Sequence, residues 1–249
     1  MVSYTYDGTF EGFLCLIYKL LQTDLNLHEI GVENERLSPL SKGLFSEKIQ
    51  TDITLAKSFY KQLREKLPEE LFKKIYIYYL CDTAKLELPL TKLIKRIDSD
   101  PNAWRNITSD EAIKLYQAER AFNRERHRWL GLLRFVEIDE RLLFAKFEPK
   151  FNVLPRIWNH FKGRFPNENF MIYDSLRKLL FKHMWGKGEL LWIDNLDIKP
   201  SLTDPFIYLW KRYFEEIAIP ERINTERQKS KLPLRARRFL PETWKDLTL

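Results

Sequence analysis

Polar and aromatic residues alternate over residues 3–6 as in a short strand, and Asp7-Gly8 then turns the chain into an apolar stretch over residues 10–21. Phe10, Phe13, Leu14, Ile17 and Leu21 fall on one face at helical spacing, Thr9 stands at the cap position, and Gly12 leaves room for a close neighbour. Residues 26–43 mix Glu, Asn, Ser and Pro without a period and predict a surface connection. Helical patterning then covers residues 52–66, resumes at Pro68 as far as about Cys81, and returns over residues 89–97. The clearest helix spans residues 110–134. Thr108 or Ser109 can cap it, Glu111 lies in its first turn, and Leu115, Phe122, Trp129 and Leu133 line one side.

At residue 135 the pattern switches from helical spacing to alternation. Residues 135–147 predict a hairpin turning at Asp139-Glu140 and closed by Pro149, and residues 154–165 predict a helix from Pro155 and the spacing of Ile157, Phe161 and Phe165. Runs at 170–173, 178–184 and 189–193 extend the hairpin into an antiparallel sheet, with Gly186-Lys187-Gly188 as a turn. Residues 204–217 are amphipathic, with Pro205 in the first turn and Trp210, Tyr213 and Phe214 expected inside. A basic tail over residues 220–249 is interrupted by Pro220, Pro233 and Pro241. With no internal repeat, the expected architecture is one α+β domain over residues 1–249. It combines an antiparallel sheet, packed helices and a helical subdomain at about 52–134.

Composition narrows the function classes. At 249 residues, 44% hydrophobic and 14% aromatic, the chain can bury a core without disulfides, and no apolar run is long enough to span a bilayer, so no membrane partner is expected. Only 8 glycines occur, and neither a phosphate-binding loop nor a dinucleotide fingerprint is present. Cys15 and Cys81 are too few and too far apart for a four-cysteine zinc site or a self-contained iron–sulfur cluster, so no cofactor is predicted. The first ten residues lack a basic region followed by an apolar one, which points to the cytoplasm. Lys and Arg total 42 against 35 Asp and Glu, a net charge of +7 that favours an anionic partner, nucleic acid first.

Three places concentrate that charge. Arg120, Arg124 and Arg128 form an i, i+4 row, with Arg126 beside them and Arg134 at the end. Like charges at this spacing demand anions, supplied either by carboxylates such as Glu119 and Glu125 or by the phosphates of a nucleic acid. Arg177, Lys178, Lys182, His183 and Lys187 surround Trp185 and suit either backbone contacts with base stacking or a lysine-protected strand edge. The tail adds Arg222, Arg235, Arg237 and Arg238. For acid–base chemistry the candidates are Glu125, His127, His160 and Asp174, while Asp7, Glu148 and Asp174 each end a β-like run and form a candidate Mg²⁺ set.

Several strings, taken in order, resemble a bacterial family of uncharacterised proteins assigned to DNA metabolism or DNA repair. They are Tyr6-Asp7-Gly8 with Phe10, Glu11, Gly12 and Phe13; Glu125, His127 and Arg128 followed by Gly131 and Arg134-Phe135; and Glu148-Pro149 leading to Asn152-Val153-Leu154-Pro155. His160-Phe161, Arg164-Phe165-Pro166 and Tyr173-Asp174 continue the likeness, and Trp210, Phe214, Ile217, Ala218, Ile219, Arg222, Asn224 and Gln228 close it. It departs at Leu234-Arg235-Ala236-Arg237-Arg238, where the family has aromatic residues after the proline. The resemblance implies a cytoplasmic, DNA-associated protein encoded beside a radical-SAM protein, which would hold any iron–sulfur cluster. Some members add a uracil-DNA-glycosylase-like domain, not expected in a chain ending at Leu249.

The leading expectation is thus a DNA-binding protein in repair or base modification, accessory to a radical-SAM partner. Arg120, Arg124, Arg128, Arg134, Arg164, Arg222 and Arg235 are its candidate contacts. The alternatives are an enzyme acting on DNA through Glu125, His127, His160 and Asp174, and a scaffold for a protein partner whose arginines are neutralised internally.

Overall fold

A computed structural model describes residues 2–23, 30–34, 46–106, 108–139, 141–194, 196, 198, 205–216, 232 and 234–240. The fold is α+β, and the chain divides into two compact units, Met1–Arg124 and Glu125–Leu249.

In the first unit β1 (Val2–Tyr6) is the centre of a three-stranded parallel sheet, flanked by β2 (Ile30–Asn34) and β3 (Ser46–Lys48). β2 corrects the expectation of a plain surface connection over residues 26–43, and the rest of that stretch lies outside the described residues. After β1 the chain turns as its sequence requires. The Asp7 carboxylate accepts from the Thr9 N–H at 2.9 Å and the hydroxyls of Thr9 and Thr51 at 2.7 and 2.9 Å, and Thr9 in turn caps α1 (Phe10–Gln22) through the Gly12 N–H. A Cβ on Gly12 would lie 2.2 Å from Asp7 Oδ1. Next come α2 (Ile53–Lys66), capped by Asp52, α3 (Glu69–Leu80) and α4 (Glu87–Ile97), close to their expected limits. Phe13, Leu16, Ile17 and Leu20 from α1 are buried, as are Leu63, Leu71 and Ile75. Cys15 and Cys81 are buried free thiols. α5 (Asp110–Leu132) begins in this unit and ends in the second.

In the second unit β4 (Val136–Asp139), β5 (Leu142–Phe147), β6 (Asn169–Asp174), β7 (Leu179–Met184) and β8 (Lys187–Trp192) form a sheet in sequential order. The sheet is not wholly antiparallel as expected, because β5 and β6 run parallel. The reason is the intervening α6 (Leu154–Arg164): a helical crossover returns the chain to the edge it left from, and the next strand must run the same way. Phe170, Ile172 and Phe181 face α6, where Trp158 stacks on Phe181 at 4.7 Å. Phe144, Tyr173 and Leu180 form the core of the other face under Ile138, Met171, Leu191 and Ile193. α7 (Pro205–Glu216) corrects another expectation, since Trp210 is 38% and Tyr213 54% exposed. A single helical turn, α8 (Leu234–Arg237), follows; most of the tail, Arg222 included, lies outside the described residues.

Candidate nucleic-acid interface

α5 carries arginines and carboxylates together, and where the carboxylates go decides what the arginines do. Glu111 pairs with Arg96 at 3.7 Å, Glu119 with Lys74 at 3.0 Å, and Glu125 with Arg235. Glu119 and Glu125 therefore do not neutralise the arginine row, against one of the expected readings. Arg120 and Arg124 are exposed, Arg126 and Arg128 half-buried, and none of the four has an ion-pair partner among the described residues. The Nε of Arg126 is buried and makes no hydrogen bond. Arg120 lies over the ring of Tyr116 at 5.6 Å, and that ring is itself 40% exposed, so one member of the row is already presented on an aromatic surface. Tyr116 was not foreseen; its position one turn before Arg120 was the available signal.

Within the second unit, four segments distant in sequence meet at the turn after β5. The Glu125 carboxylate, 6% exposed, accepts from the N–H of Lys150 at 2.7 Å and of Phe151 at 2.9 Å as well as from Arg235. Arg177, also buried, donates to the carbonyls of Pro149 at 3.2 Å and Lys150 at 2.7 Å while holding Asp174 Oδ2 at 3.0 Å. The Ser175 hydroxyl donates to Phe147 O at 3.2 Å and Glu148 Oε2 at 3.3 Å, and Arg238 pairs with Glu148. Asp174 Oδ1 accepts from the N–H of Leu176 and Arg177. Complete burial pushes the Asp174 carboxyl up to about 6, with Arg177 opposing the shift.

As placed, the Glu125 and Asp174 oxygens are taken by the chain's own donors, which gives both a positioning role at residues 149–151. The other acid–base candidates do not join them. His127 is exposed on α5, and His160 is exposed on α6 with its ring edge-on to Phe161 at 5.1 Å. Neither hydrogen-bonds to those carboxylates among the described residues. Asp7 serves the α1 turn, Glu148 meets Ser175 and Arg238, and Asp174 meets Arg177, so the three members of the candidate Mg²⁺ set are each engaged locally. No group of three or more His, Cys, Asp or Glu able to hold a metal ion occurs among the described residues.

The remaining cations sort by partner. Arg164 is exposed at the end of α6, over the Phe165 ring at 5.9 Å. Arg134 donates to Gly131 O and lies over the Trp210 ring at 5.2 Å. Arg235 is committed to Glu125. Of the cluster around Trp185, Arg177 and His183 are buried, Lys178 pairs with Asp194 and Lys182 with Glu189, and Trp185 itself is 84% exposed at the β7–β8 turn. Among the described residues no helix is long and apolar enough to cross a membrane.

A family model for a domain of unknown function, DUF4130, matches residues 84–242. The chain matches no curated protein and no solved structure.

Proposed function

The chain belongs to the DUF4130 family, and from that premise we propose that it binds DNA through the arginine row of α5, as an accessory to a DNA repair or base-modification reaction carried out by a radical-SAM partner. The observation that carries DNA binding is the separation of charges on α5. Its glutamates at 111, 119 and 125 are drawn to cations elsewhere, while Arg120, Arg124 and Arg128 are left without intramolecular counter-ions among the described residues. These three arginines rise about 12 Å along one helix, a linear array suited to successive phosphates. The accessory role is supported by the engagement of Glu125 and Asp174 with backbone donors, which leaves the acid–base alternative without two of its four groups. The radical-SAM partner is supported by the sequence resemblance alone. A pure scaffold is less favoured, because internal neutralisation reaches Arg235 and Arg238 but not the row.

The test is fluorescence anisotropy of labelled single-stranded and duplex DNA across a salt series. Each phosphate engaged on duplex contributes about −0.9 to the slope of log K on log salt. Arg124→Ala with Arg128→Ala should flatten the slope by nearly 2 and weaken binding for every sequence alike. Tight binding with an unchanged slope in that double variant removes the row from the interface.

A further inference from the structure

The first unit contains a cavity of about 240 Å³, below the range of roughly 300–1,000 Å³ typical of drug-sized ligands, lined by apolar, aromatic and charged residues. Leu71, Leu93 and Leu115 are nearly inaccessible to solvent and make its depth. Trp104 and Tyr116 border it, both half-buried or partly exposed. Its charged lining residues are two carboxylates, Glu70 and Glu119, and two cations, Lys74 and Arg105, so its formal charge is zero, and Tyr78 and Ala112 line it as well. Lys74 and Glu119 are 3.0 Å apart and present a donor and an acceptor side by side. Of the nearby cations, Arg105 in the lining lies over the Trp104 ring at 4.9 Å, and Arg120, outside the lining, lies over the Tyr116 ring at 5.6 Å. Neither guanidinium has an ion-pair partner among the described residues.

We propose that this cavity takes one unstacked nucleobase of a nucleic-acid strand, with Trp104 and Tyr116 as its stacking surfaces and Arg105 and Arg120 on the flanking phosphates. A neutral pocket suits the uncharged base and would repel neither face of it, whereas each ring carries its own cation for the anionic backbone. The paired carboxylate and ammonium of Glu119 and Lys74 border the cavity with an acceptor and a donor, the two kinds of group that the edge of a base can meet. The proposal rests on the nucleic-acid reading above and deepens it, since Arg120 belongs to both the row and the cavity's aromatic border.

The full chain is titrated with a labelled single strand and with a counterpart of equal length and charge whose central sugars carry no base. Wild type should prefer the base-bearing strand by about 5- to 150-fold, the range of one base–aromatic stack. Tyr116→Ala, a change at an exposed helix position, should abolish that preference while leaving the salt slope nearly intact. Trp104→Phe, which keeps a ring, should retain part of it. Equal affinity for both strands overturns the cavity and leaves the arginine row standing. In a parallel arm adenosine monophosphate is added and tryptophan fluorescence followed. Quenching that Tyr116→Ala weakens, without binding of any strand, supports the cavity for a free nucleotide and overturns the DNA reading; absence of both signals overturns both.

Discussion

Glu125 should be the costliest side chain to remove from the turn at residues 149–151. Alanine there leaves the Lys150 and Phe151 N–H groups without acceptors in a site where the carboxylate is only 6% exposed. An unsatisfied buried donor costs about 1–3 kcal/mol; Phe151 is buried and bears that cost, whereas Lys150 is exposed and its N–H can meet water, so the total is roughly 1–3 kcal/mol. The lost ion pair adds little: the Arg235 side chain is 39% exposed, and a cation that can rehydrate forfeits less than about 1 kcal/mol. Arg235→Ala leaves the buried carboxylate its two N–H donors but not its cation and should cost less than Glu125→Ala, and the double variant should cost no more than Glu125→Ala alone. Glu125→Gln falls between, because the two N–H groups go to different carboxylate oxygens and the amide NH₂ would face a donor in place of one of them. Urea unfolding followed by tryptophan fluorescence and by far-ultraviolet circular dichroism measures the four variants against wild type. Two results would refute the reasoning. Glu125→Ala within 1 kcal/mol of wild type would mean that the backbone caps contribute little. Arg235→Ala as damaging as Glu125→Ala would make the ion pair, not the caps, the source of stability.

Other positions make separate demands. Gly12→Ala, although alanine favours helices, should destabilise the chain by about 1–3 kcal/mol because its Cβ would stand 2.2 Å from Asp7 Oδ1 and 2.9 Å from Thr51 Oγ1; a thermal melt equal to wild type would contradict the packing at α1. Asp52→Ala removes the cap acceptor for Thr54 and Leu55 and should cost about 1 kcal/mol in chemical denaturation. Asp174 titrates near 6 when folded against 3.8 in a model peptide, so the folded chain binds the proton more tightly. Its contribution to stability is greatest below about 4 and is lost as pH rises through 6, a swing of at most roughly 3 kcal/mol. Wild type should gain on Asp174→Asn as pH falls from 7 to 4 in paired urea titrations, and parallel pH profiles for the two would count against the buried carboxylic acid.

What could be read along the chain was local. The Asp7-Gly8 turn, the Thr9 cap and the helices beginning near Asp52, Pro68 and Asp110 each depend on a few neighbouring residues, and each stands close to where the pattern puts it. β2 and β3 did not announce themselves. Ile30–Asn34 contains glycine and two polar residues, and Ser46–Lys48 has no apolar residue at all; both are strands because β1 offers its two edges to them. The parallel pairing of β5 and β6 was implicit in the expected helix between them, since a crossover helix and an antiparallel neighbour on the same edge are hard to reconcile. On α7 the apolar stripe was plain, yet a stripe does not show whether anything covers it.

The site divides in the same way. The i, i+4 spacing of Arg120, Arg124 and Arg128 was visible, but not which carboxylates would answer it, because Lys74 and Arg235 lie 45 and 110 positions from the glutamates they pair with. This division bears on how the motif residues are to be understood. Glu125, Glu148 and Asp174 looked like reactive carboxylates when each was considered alone. Together they meet buried N–H groups, a buried guanidinium and two tail arginines around one turn. Carboxylates so engaged hold a backbone in place, and the cost of freeing one for chemistry is the cost of orphaning its donors. The α5 arginines stand in the opposite situation: holding like charges four residues apart is unfavourable by a few tenths of a kcal/mol per pair, and nothing among the described residues relieves it. A phosphate backbone would relieve it at every position of the row, so the tension in the isolated chain is itself an argument for where the partner binds.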